Sequence, residues 1–134
     1  MSGGRRGAGT VRGDAVKYML LIYQNQASRE ALAEDPDGLM GEVDAIVEEL
    51  VGSGEWVGGE ALADASQTRT VQVRGGLPAV TDGPFVEAKE HLAGYCLVEC
   101  ETPERAIEIA TRWPDARLCA MEVRPLMDPS GMEM

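Results

Sequence analysis

One run limits the fold more than any other. Val16-Lys17-Tyr18-Met19-Leu20-Leu21-Ile22-Tyr23 is β-branched, aromatic and apolar on both alternating faces. A strand of that kind is covered on both sides and sits centrally in a sheet. A second, mostly apolar strand is expected at Ala93-Gly94-Tyr95-Cys96-Leu97-Val98-Glu99-Cys100. Helices laid on one face of such a sheet leave the other bare, so more chain or another subunit must cover it.

Between and after these strands the punctuation is clear. Residues 24–34 are polar and read as a loop. Asp35-Pro36-Asp37 gives an N-cap, a Pro at the first helical position and a first-turn acid. Leu39, Val43, Ile46, Val47 and Leu50 then recur at helical spacing, and Gly52 or Gly54 ends the helix. Residues 55–62 form a short strand interrupted by Gly58-Gly59, where backbone can approach closely. Thr68–Arg74 alternates as a half-exposed strand, and Gly75-Gly76 turns it into a short strand at Ala79–Thr81. Thr102-Pro103-Glu104 opens a second helix with Ala106, Ile109, Ala110 and Trp113 inward, and Pro114 stops it. Cys119–Leu126 is the last strand.

Removing the extra strand pair leaves βαββαβ, an α+β, ferredoxin-like plan with two helices on one face of an antiparallel sheet. A back-to-back homodimer hides the bare face, as the doubly apolar strands require. The expected domain is 16–127. It follows a Gly/Arg-rich extension at 1–15, expected to be disordered, and precedes a frayed tail at 128–134.

Charge excludes some partners. The chain of 134 residues carries −11; with Arg5, Arg6, Arg12 and Asp14 set aside, 9 basic and 22 acidic residues leave −13. That field repels a phosphate backbone, so nucleic acid is not an expected partner. No apolar run reaches the ~20 residues of a membrane span, and the N-terminus lacks the pattern of a signal peptide. Cys96, Cys100 and Cys119 lack CxxC spacing; the first two lie roughly 13 Å apart along one strand face, too far to bridge. Three buried thiols in a reducing cytoplasm is the plain reading. One His without CxxC speaks against zinc or iron, and no dinucleotide or phosphate-loop motif appears, so no cofactor is expected.

The chemistry gathers at Thr81-Asp82-Gly83-Pro84-Phe85-Val86-Glu87-Ala88-Lys89-Glu90. Asp-Gly reads as a turn, yet Pro84 has no N–H to close it or to bond the Asp82 carboxylate. Asp82 then either accepts from the Phe85 N–H or points elsewhere. With His91 it makes a candidate proton-transfer pair, the alternative being a solvated His at a strand edge. Lys89 neutralises an anionic ligand or pairs with Glu87 or Asp82, and Glu90 stands beside it. Glu60, after the glycine pair, faces a cleft or solvent. Tyr23 and Trp56 line a small apolar pocket or pack in the core.

VKYMLLIY, LVGSGEWVGGEAL, VTDGPFVEAKEHLAGYCLVE and the ending MEVRPL resemble the YciI-like (YCII-related) family, in its DGPF-domain branch. The resemblance covers about residues 16–126 and implies a bacterial, dimeric α+β barrel on the ferredoxin-like plan. Members often begin with Met where this chain has Val16, which implies a natural start there from a GTG codon. Related dimeric barrels include lactone isomerases and dehydrochlorinases, and YciI-like proteins are associated with a His–Asp pair in a cleft. Many members carry a His on the first helix where this chain has Val43, so that pair cannot form here. The expectation is a cytoplasmic homodimer with a small-molecule cleft near the Asp82 turn, catalytic through Asp82 and His91, with Tyr23, Glu60, Lys89 and Glu90 binding the ligand in proton-transfer or lyase-type chemistry. The alternative is a non-catalytic regulatory module associated with an extracytoplasmic-function sigma factor.

Overall fold

The apolar run at 16–23 becomes the centre of a mixed α+β fold. The computed structural model describes residues 15–127, so the expectations for the two chain ends lie outside the described residues. Its elements are β1 (Val16–Gln24), α1 (Gln26–Glu34), α2 (Pro36–Ser53), β2 (Trp56–Ala61), a 3₁₀ turn at Ala65–Gln67, β3 (Arg69–Arg74), β4 (Leu77–Asp82), β5 (His91–Cys100), α3 (Pro103–Arg112), α4 (Pro114–Leu118) and β6 (Ala120–Pro125). The main sheet has the order β2-β5-β1-β6, and each neighbouring pair is antiparallel. β3 and β4 form a separate two-stranded sheet, turned by Gly75 and Gly76 at φ 58° and 80°, where glycine meets no Cβ penalty.

One sheet face makes the core. Tyr18, Leu20, Cys96 and Val98 are buried there against Ile46 and Leu50 of α2 and Ala106, Ile109 and Ala110 of α3, with Trp113 beside them. The helical spacing read from the sequence supplies these contacts: Thr102 caps α3, Asp35 caps α2 by accepting from Gly38 N–H at 3.2 Å, and Gly54 ends α2 at φ 84°. The opposite face is not covered to the same degree. Met19 pairs with Leu97 and Leu21 with Tyr95, all only half-buried and none of them part of the core. The expectation that β1 is covered on both sides therefore holds for one side of this chain.

Three readings need correction. Residues 24–34 are not a loop, for α1 runs through them. Its formers are Ala, Leu, Glu and Arg, and it is nucleated by a reciprocal capping box: Ser28 N–H donates to Asn25 Oδ1 at 2.7 Å and Asn25 N–H donates to Ser28 Oγ at 2.9 Å. Pro114 does end α3, but as the first residue of α4 it also begins another helix. Cys119 is half-exposed at the C-cap of α4, so two thiols are buried rather than three.

Three forked ion pairs tie the later helices to α2 and to the residue just after its cap. Arg117 grips Glu42 at 3.0 and 2.8 Å, Arg112 grips Glu49 at 2.9 Å twice, and Arg105 grips Glu55 at 2.8 and 2.7 Å. The two acids on α2 are seven residues apart, so they share a helix face.

Candidate functional site

A chamber of about 250 Å³ lies between α2 and the sheet. Val43 and Val47 of α2, Trp56 and Gly59 of β2, Cys96 of β5 and Trp113 form its apolar wall. Gly59 is there because nothing larger fits: a Cβ would stand 2.7 Å from the Tyr95 carbonyl and 2.8 Å from Cys96 Cβ. Val43 presents only methyl groups to this space. The Cys96 thiol, pushed up to about 12 by burial, stays protonated and supplies no thiolate.

Polar groups gather at one end. Asp115 of α4 is only 5% exposed and lines the chamber beside Gln24, the last residue of β1. Gln24 Nε2 donates to Asp115 Oδ2 at 3.1 Å, the one side-chain hydrogen bond this carboxylate makes among the described residues. Past Gln24 and Ala93, which also border the chamber, a cleft of about 40 Å³ reaches Arg29, Asp64 and His91. An outer groove of about 420 Å³ follows, bordered by His91, Asp64 and Pro84. Asp64 accepts from Ser66 N–H at 3.0 Å. That contact with Ser66 holds its carboxyl below the usual range, and the charges of Arg29 and His91 add to the effect.

The residues singled out by sequence are distributed over these surfaces. Asp82 ends β4 opposite Arg69, its Oδ1 3.2 Å from Arg69 Nε with the Asp82 side chain 90% exposed, and it borders none of the three spaces. Of the two fates foreseen for its carboxylate, it takes the one directed away from Phe85. The turn closes differently: Gly83, at φ 93°, donates its N–H to the Thr68 carbonyl at 2.7 Å, so Pro84 need not donate. His91 begins β5 opposite Gln24, half-buried, with Asp64 as the nearby carboxylate. Lys89 and Glu90 are exposed between β4 and β5. Glu60 is exposed on β2 opposite Tyr95, at the chamber's edge. Tyr23 is half-buried, and its interaction with the Glu122 carboxylate raises its phenol above the ordinary value of 10.0, with burial adding to the shift. Trp56 does line the apolar pocket.

Sequence reasoning missed Gln24, Arg29, Asp64 and Asp115. A signal existed for Asp115: Pro114-Asp115 repeats the Pro-acid pair that marks the first turn of α2 and of α3. Among the described residues no three His, Cys, Asp or Glu side chains are placed to hold a metal ion, and no helix is long and apolar enough to cross a membrane.

An uncharacterized protein of Rhizobium meliloti (strain 1021) is similar to this chain, 29% identical over 112 residues that cover 81% of this chain and 90% of the relative. The model of the YCII-related domain matches residues 16–130, from the first residue of β1 to beyond β6, and takes in the chamber walls and the Asp82 turn: the chain belongs to the YCII-related family.

Proposed function

We propose that the protein binds a small, mainly apolar molecule in the chamber between α2 and the sheet. The observation that carries this reading is the chamber itself, larger than the roughly 150 Å³ apolar cavity known to take benzene and lined almost wholly by carbon. The chamber lies inside the helix–sheet layer and is displaced from the Asp82 turn, whose Pro84 borders only the outer groove. The reading assigns proton transfer to His91, which with Asp64 borders the neighbouring cleft and not the chamber itself, whereas Asp82 is paired with Arg69.

The same reading treats the molecule as a homodimer on the ferredoxin-like plan. The strand order β2-β5-β1-β6, with β3–β4 inserted between β2 and β5, supports the plan. The half-covered apolar sheet face and the exposed hairpin support the dimer. A sigma-factor partner draws support only from that hairpin, a surface that a dimer uses equally well.

Toluene is the probe that tests the chamber. It should shift the backbone amide resonances of Trp56 and Gly59 in the wild type. Val47→Phe, which fills the space, should weaken toluene binding by about tenfold or more while the melting temperature is held. His91→Gln should leave toluene binding intact. Unchanged binding in Val47→Phe, or no shifts in the wild type, overturns the reading.

A further inference from the structure

Asp115 is the anomaly of the chamber. A carboxylate accepts at roughly four lone-pair positions; this one receives a single side-chain hydrogen bond, from Gln24, and is 95% removed from solvent. Its neighbours in the wall are Val43, Val47 and the Trp113 and Pro114 that precede it, none of which donates to it. Among the described residues no cation pairs with it: Arg112 and Arg117, on either side in sequence, are committed to Glu49 and Glu42. A buried charge with so few partners is costly unless something completes its shell.

We propose that Asp115 selects the ligand, and that the chamber takes a small amine: an apolar body against Val43, Val47 and Trp56, with a protonated nitrogen donating to the open oxygen of Asp115. This rests on the chamber being a binding site. Gln24 positions the carboxylate by holding Oδ2, which leaves Oδ1 without a side-chain hydrogen bond among the described residues and so open to an incoming donor. An acid of the same size is rejected, since its carboxylate meets Asp115 with Glu60 at the rim.

A purely structural Asp115, serving only as a first-turn acid of α4 and as an anchor for Gln24, discriminates among no ligands. The two accounts separate on the wild-type protein alone. Phenethylamine, its hydrocarbon isostere propylbenzene and the anion phenylacetate are titrated at neutral pH, with amide shifts of Trp56 and Gly59 as the readout. The proposal expects the amine to bind about tenfold to hundredfold more tightly than the hydrocarbon, the scale of one hydrogen bond to a charged group, and phenylacetate to bind more weakly than either. Asp115→Asn should bring the amine to within about threefold of propylbenzene while propylbenzene itself binds as before. Propylbenzene and phenethylamine binding equally well to the wild type would sink the assignment of Asp115 and leave the chamber standing. Preference for phenylacetate would overturn it as well. Binding of none of the three would remove both the chamber and the amine.

Discussion

Glu55 gives its two oxygens to Arg105 and takes a third hydrogen bond from Ser53 Oγ at 2.7 Å, in a pair that is partly shielded from solvent. The contact with Arg105 holds the Glu55 carboxyl below its ordinary value of 4.5, with burial opposing. Because the folded value is depressed, the stabilisation is complete above the ordinary value and is lost as pH falls through the folded one. Glu55→Gln should therefore destabilise by about 1–2 kcal/mol at neutral pH, and the deficit should shrink once pH drops below 4.5. Urea denaturation of both proteins across pH reads this out; a deficit that is constant with pH would show that packing, not charge, is lost. The exposed forks at Glu42 and Glu49 should matter less. Residue chemistry of this kind was hard to see in the sequence. Glu55 and Arg105 are 50 positions apart, and nothing local pairs them. Asp82 illustrates the converse: its neighbours in sequence suggested a carboxylate without a structural task, but the partner came from across the hairpin.

The elements were far more legible, because caps and periodicity act within a few residues. The Pro-led starts of α2 and α3, the Gly54 stop and the Gly75-Gly76 turn appear where local rules put them. α1 escaped because its helix rests on good formers and an Asn25–Ser28 box, while its apolar stripe is thin: among its nine residues the buried side chain is Ser28. The glycine pair in β2 was legible in kind but not in detail. Close approach belongs to Gly59 alone, since a Cβ on Gly58 would meet nothing within 4 Å. Gly59→Ala should therefore push β2 off β5 and cost about 1–3 kcal/mol, whereas Gly58→Ala should stay within about 0.5 kcal/mol of wild type. Equal effects in denaturant unfolding would mean that strand propensity rather than the Tyr95 and Cys96 contact governs both positions. The chamber was the least legible feature of all, since its wall draws on α2, β2, β5 and the α3–α4 junction, which no window of sequence brings together.

At the scale of the whole molecule two surfaces lack a covering among the described residues. The sheet face of Met19, Leu21, Tyr95 and Leu97 is apolar and half-exposed, and the β3–β4 hairpin presents Val71, Val73 and Val80, with Val73 67% exposed. Register places Val71 opposite Val80 and Val73 opposite Pro78, so the three valines share one hairpin face, bounded by the Arg69–Asp82 pair. A two-stranded sheet left by itself in water is marginal at best, so the hairpin needs support. In the proposed dimer a two-fold axis would supply it reciprocally, because each copy would offer the same apolar sheet face and the same arm. Charge bounds the contact without blocking it: Lys17 and Arg124 stand near Glu99 and Glu122 around the sheet face. The wild type should then sediment at about twice 14.4 kDa. Leu21→Lys, at the centre of that face, should yield a folded monomer by the desolvation cost of two lysines meeting across the axis. Val73→Lys, on the arm, should weaken the dimer less, since the sheet faces still pack. Sedimentation across a concentration series orders the three proteins, and circular dichroism checks that Leu21→Lys keeps its helices. A wild type that remains monomeric at high concentration would refute the dimer outright. A dimer untouched by Leu21→Lys would place the interface on some surface other than the sheet, and the hairpin would then be the first place to look.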